Sequence, residues 1–176
     1  MKKSKWISIL VIAILYILGS AVCHTYGPYK GKLVDSETGQ PIEGAAVFFE
    51  FYTEGIYAVG KYADAIEKIT DKDGEFKIDE HLVVVFPRLF NEWVDNGIVI
   101  IFKPGFGAYQ SGTAEFELNK SNTDDNFSVI KLKKLKTIQE RSWNWAANLD
   151  VSIDVPRRKY KKLLELKKTE YENISK

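Results

Sequence analysis

The chain has 176 residues, 45% of them apolar and 28% charged, with a net charge of +1. That is enough for one domain with a real core plus appendages, and it excludes a disordered chain. No clustered basic face marks a nucleic-acid binder, and the single cysteine, Cys23, rules out an intramolecular disulfide.

Met1 to Lys5 carries three lysines, and Trp6 to Leu18 follows with Ser8 as its one clearly polar residue. This is the charged head and apolar body of a secretory signal, so residues 1–23 are predicted to be a signal peptide, with an uncleaved membrane anchor as the alternative. Gly19, Ser20 and Ala21 supply the small residues of a cleavage region. Cys23, just beyond the apolar run, is the candidate lipid attachment point of a bacterial lipoprotein, although Val22 before it departs from the usual pattern. Without Lys2, Lys3 and Lys5 the chain holds 22 basic against 24 acidic side chains.

Tyr29 to Asp35 has strand composition and runs into the turn chemistry of Asp35 to Pro41. Ala45 to Thr53 is rich in β-branched and aromatic residues and predicts a strand buried on much of both faces. A further extended piece spans Ala65 to Thr70. Asp73-Gly74 then predicts a hairpin leading into Phe76 to Ile78, a strand with one wet face. Residues 81–96 read either as strand, in LVVVFP, or as a helical turn, in RLFNEWVDN. Gly97 to Lys103 is the clearest core strand and Pro104-Gly105 ends it. Ala114 to Leu118 alternates, 119–126 is a polar loop, and Phe127 to Leu132 is a last strand.

About seven strands within residues 29–133, separated by turns, predict an all-β antiparallel sandwich of the prealbumin or immunoglobulin kind. Beyond it, residues 134–176 are predicted to be a helical extension. Tyr160, Leu163, Leu164, Tyr171 and Ile174 lie near one stripe, and eight basic against three acidic side chains follow Pro156. Such a helix either docks its stripe on the sandwich or lies on an anionic membrane.

Catalytic and metal-binding sets are thin. His24 lies in the processing region, which leaves His81, and no G-x-S-x-G turn accompanies it. His81 is therefore expected at a surface or strand end rather than as a base. Asp71-Lys72-Asp73-Gly74 opens like a calcium loop, but Phe76 and Leu82 stand where that loop needs Gly and Glu. A zinc site lacks ligands. The exposed aromatics Tyr57, Tyr62, Phe106 and Tyr109 are candidates for stacking on a sugar or partner, although most aromatics are expected in the core.

Three segments in order, YKGKLVDSETGQPIEGAAV, ITDKDGEFKI and IVIIFKPGF, resemble a carboxypeptidase regulatory-like domain of the transthyretin type. The resemblance covers residues 29–109 and extends toward Leu132. It implies a prealbumin-like sandwich over residues 27–133 in which these motifs mark turns and core strands, with no catalytic residue, cofactor or metal. It also implies an accessory or interaction module in the bacterial cell envelope or periplasm, binding a protein or glycan and not nucleic acid. Membrane contact is then expected only through the N-terminal segment or the basic C-terminal helix. The related purine-pathway hydrolases use several histidines and a Tyr-Arg-Gly-Ser ending, both missing here. The competing expectation is an envelope hydrolase with carboxylate chemistry. The insert 82–96 and the extension 134–176 fall outside the resemblance.

Overall fold

A computed structural model describes residues 2–55, 60–85, 91–94, 97–112, 128–146 and 151–176. Helix α1 (Lys2–Val22) leads into β1 (Cys23–Tyr26) and β2 (Tyr29–Asp35). The strands β3 (Ala46–Gly55), β4 (Lys61–Ile69), β5 (Glu75–Ile78), β6 (His81–Val84), β7 (Asn91–Trp93), β8 (Ile98–Phe102), β9 (Tyr109–Gly112) and β10 (Ser128–Leu132) follow. Helices α2 (Ile138–Ala146) and α3 (Lys161–Ile174) close the chain.

The fold is mostly β. A three-stranded sheet has the order β10-β2-β5, a five-stranded sheet the order β4-β3-β8-β9 with β7 also on β3, and β1 pairs with β6 in a ribbon. Among the described residues nine strands lie between residues 29 and 132: six of the seven predicted, two more from the ambiguous stretch after Glu80 (β6 and β7), and β9, which was not predicted. The predicted all-antiparallel pairing also needs correction. β10 runs parallel to β2, in register from Ser128↔Gly31 to Leu132↔Asp35, so the smaller sheet is mixed. The expected strand at 114–118 lies outside the described residues.

β3 is the centre of the molecule. Ala46, Val47, Phe48, Phe49 and Phe51 are all fully buried, as the apolar run predicts. Val47, Phe49 and Phe51 face the smaller sheet and pack with Leu33, Phe76, Ile78, Ile130 and Leu132, joined by Val99 and Ile101 of β8. Tyr29 stacks on Phe49 at 4.9 Å and Tyr26 on Phe51 at 4.1 Å. Ala46 and Phe48 face the other way and, with Ala65, Ile100 and Phe102, pack under Val155, Tyr160, Leu163 and Leu166. The C-terminal segment is thus a third layer. Each large side chain so buried contributes about 1.5–3 kcal/mol.

The predicted hairpin at Asp73-Gly74 is instead a crossing between sheets, since β4 pairs with β3 while β5 pairs with β2. Local turn chemistry is as expected: Asp71 Oδ1 accepts the N–H groups of Asp73 and Glu75. What redirects the chain is buried Thr70, whose hydroxyl donates to Ile42 O at 2.7 Å and accepts from Ala45 N–H at 2.9 Å. Gly74, at φ +74°, accepts the Leu33 N–H, and a Cβ there would lie 2.5 Å from Leu33 O.

The third layer is tied down by polar contacts. Thr137 and Glu140 form a capping box on α2: Glu140 N–H donates to the Thr137 hydroxyl, and Glu140 Oε2 accepts from the N–H groups of Lys136 and Thr137. Asn144 grips the turn after β8 by accepting from Ala108 N–H and donating to Phe106 O. Arg141 holds Glu170 in two bonds of 2.8 and 2.5 Å, with Glu170 fully buried. Glu170, with Leu163 and Leu166, therefore occupies the inward face of α3. Of the predicted stripe, Tyr160 and Leu163 pack inward, while Leu164 and Tyr171 are left exposed.

In α1 the described apolar side chains from Trp6 to Leu15 are exposed. Among the described residues no helix is long and apolar enough to cross a membrane.

Two substitutions test this account. Gly74→Ala is expected to cost roughly 2 kcal/mol by urea denaturation, since a non-glycine residue must hold a left-handed backbone against Leu33 O. Arg141→Ala strands a buried carboxylate and is expected to cost about 3–5 kcal/mol, whereas Arg141→Met combined with Glu170→Leu should recover most of it.

Candidate functional site

The outward positions of β3 change character halfway along. After Ala46 and Phe48 come Glu50 and Tyr52, and Glu50 is 1% exposed. Ile98 pairs with Glu50 on one side and Tyr62 with Tyr52 on the other. The segment that precedes α3 passes over this polar end of the sheet. Ser152 N–H donates to Glu50 Oε2 at 3.2 Å, and Asp154 follows two residues later. Between sheet and segment lies a cavity of about 180 Å³ lined by Glu50, Tyr52, Tyr62, Ile98, Ser152 and Asp154, with Gly60 at its edge.

Burial raises the Tyr52 phenol above its ordinary value, helped by the nearby Glu54 and Glu50 carboxylates. Burial likewise pushes Tyr62 up, helped by the charge and hydrogen bond of Asp64. Both rings stay neutral at physiological pH.

Tyr62 links the cavity to a second polar group. Between Phe51 and Tyr52 the β3–β4 register shifts, passing from Phe51↔Asp64 to Tyr52↔Tyr62 and skipping Ala63. Such a bulge re-aims side chains, and here it lies at the start of an edge strand. Asp64 Oδ1 accepts from Lys159 Nζ at 2.7 Å and from Tyr62 OH at 3.3 Å, while Oδ2 meets His81 Nε2 at 2.9 Å. Burial opposes the charged form of Asp64, but the bonds from Lys159, Ala65 N–H and His81 outweigh it and hold the carboxyl below its usual range. One carboxylate thus joins β4, β6 and the C-terminal layer. Nearby, Glu67 caps α3 from outside by accepting the N–H groups of Lys162 and Leu163 at 3.0 and 2.7 Å.

The predicted candidates fall in different places. His81 opens β6, as a strand-end residue, and its ring stacks on Phe51 at 5.8 Å. Cys23 is exposed at the head of β1, across from Val84. Asp71 and Asp73 serve the turn, and Asp79 pairs with Lys77. Among the described residues no group of three His, Cys, Asp or Glu side chains is placed to hold a metal. Phe106 and Tyr109 pack against the core between the sheets, Tyr57 lies outside the described residues, and of the described stacking candidates Tyr62 lines the cavity. Glu50, Ser152 and Asp154 escape the sequence reading. The available signal is a carboxylate inside the apolar run VFFEF, where a charge is costly unless it has a task.

The Asp64 contacts should appear in acid stability. A carboxyl lowered in the folded state contributes fully above its unfolded value, near pH 3.9, and its contribution is lost as pH falls through the lower folded value. Asp64→Asn is expected to be about 1–2 kcal/mol less stable at neutral pH, with the deficit shrinking steadily below about pH 4 in urea melts.

Comparison with known proteins finds no matching family model, no matching curated protein and no matching solved structure.

Proposed function

We propose that the chain is an exported, non-catalytic module of the bacterial cell envelope: a prealbumin-like sandwich that holds a protein or glycan partner. The observation that carries this reading is the cavity at the seam between the five-stranded sheet and the C-terminal layer, a recess with two phenol rings and a buried carboxylate. A concave recess with a few convergent polar groups is the kind of place where proteins hold a ligand group. The turn motifs behind the carboxypeptidase regulatory-like resemblance also support a scaffold role. Asp35 accepts the N–H groups of Glu37 and Thr38, and Thr70 and Asp71 organise the crossing between sheets. Their side chains are spent on backbone rather than chemistry.

Export is supported by the lysine head and the exposed apolar side chains of α1. In this reading residues 1–23 act as a leader removed after Cys23, or, where Cys23 carries the lipid, cleavage falls before it and Cys23 is the new terminus. The hydrolase alternative has one specific observation behind it, the His81–Asp64 pair beside Tyr62. Its Nε2 faces the carboxylate, so the pair serves as a structural tie unless turnover depends on it.

Fractionation with intact-mass measurement tests the reading. The mature chain is expected in the envelope fraction at a mass lacking the leader, with a diacylglycerol increment if Cys23 is the new terminus. A cytoplasmic full-length chain that keeps Met1 overturns export. Hydrolysis of any substrate in a broad panel, lost at least a hundredfold on His81→Ala, would replace the binding module with an enzyme.

A further inference from the structure

Glu50 is a buried carboxylate whose partners do not exhaust it. Oε2 accepts the Ser152 N–H, and Oε1 makes no hydrogen bond among the described residues. Among the described residues no fully enclosed side-chain oxygen is left without a partner, so Oε1 opens onto the cavity that Glu50 lines. A carboxylate taken from water is strongly favoured by a cation that brings N–H donors to it. The surroundings repeat that demand. Asp154 stands on the cavity's covering segment, and the Glu50 and Glu54 carboxylates both bear electrostatically on Tyr52. Of the nearby cations, Lys159 is engaged by Asp64, and Arg158 is exposed, with its charge bearing on Tyr62.

The walls define the kind of cation. Tyr52 and Tyr62 present neutral aromatic rings, which attract an organic cation across their faces. A hard divalent metal would need more oxygen ligands than Glu50 and Asp154 offer, and the described residues gather no third His, Cys or carboxylate there. A space of about 180 Å³ suits a slender group, and Ile98 gives its floor an apolar side for a methylene stem. At the rim, between Ser152 and Asp154, Ile153 is 98% exposed, an apolar landing beside a charged recess.

We propose that this cavity binds a primary ammonium group on an alkyl stem, with Glu50 Oε1 as the buried acceptor, Tyr52 and Tyr62 as the aromatic walls and Asp154 as the outer charge. The assignment rests on reading the cavity as the module's binding site. The ammonium comes either from a free amine or from the lysyl side chain of a polypeptide. In the second case Ile153 packs against the partner's chain.

Titration calorimetry of the full chain in a neutral maltoside detergent tests this, with n-butylammonium chloride and acetyl-Gly-Lys-Gly-amide as the two probes. Saturable binding of either supports the proposal, and the tighter one names the source. The same peptide acetylated on Nε is expected not to bind. Glu50→Gln should weaken binding at least tenfold, and Asp154→Asn, on an exposed segment that does not threaten folding, about two- to fivefold. Tyr62→Phe keeps the ring and should bind within twofold of wild type. Equal binding of the acetylated peptide, undiminished binding by both carboxylate variants, or no binding of either probe overturns the assignment. Capture of an envelope partner with equal yield by wild type and folded Glu50→Gln also overturns it, while leaving the binding-module reading in place.

Discussion

A strand buried on both faces imposes a requirement on everything around it. β3 carries Val47, Phe49 and Phe51 on one side and Ala46 and Phe48 on the other, all withdrawn from water. A two-layer protein covers only one of those faces. The second must be covered by something else in the chain, and here it is the segment from Val151 to Leu166. Leu163, Leu166, Tyr160 and Val155 meet the outer side of β3, β4 and β8. The helices are in this sense a consequence of the sequence VFFEF.

Coverage with apolar contacts alone leaves orientation loose, and the polar ties set it. Glu67 reaches from β4 to the first N–H groups of α3, and Asp64 reaches from the same strand to Lys159 just before it. Glu170 and Arg141 then fix α2 against α3 from inside. Each tie joins the sheet to the C-terminal layer, or its two helices to one another. The cavity lies where the apolar coverage stops at Glu50: beyond Phe48 the strand's outward side turns polar, and the covering segment crosses it as a turn, closed by Val155 N–H on Ser152 O, rather than as a packed helix.

Much of the scaffold was legible in the sequence. Tyr29 to Asp35, Ile98 to Phe102 and Ser128 to Leu132 announce themselves through alternation or continuous apolarity, and the C-terminal helices through unbroken helical composition. Less legible was anything set by distant partners. Asp73-Gly74 has the local chemistry of a hairpin, yet Thr70, bonded to a carbonyl 28 residues away, directs the chain into another sheet. The inward face of α3 is only partly its own apolar stripe: Leu163 turns inward as the stripe implies, but Arg141 brings Glu170 to that face as well. The candidate site was hidden for the same reason. Glu50 and Ser152 are 102 residues apart in sequence, and nothing in either neighbourhood announces the other.

The dependence of β3 on the C-terminus sets an order of events in biogenesis. Phe48, Ile100 and Phe102 can pair within their sheet as soon as residue 102 is free to fold, but their outer side has no cover until Leu163 has been made. β2 likewise waits for β10, about a hundred residues later. Throughout that interval the nascent chain presents a broad aromatic surface, and contacts of this sequence separation form slowly. The outer face of the five-stranded sheet is closed only when Leu163 and Leu166 of α3 reach it.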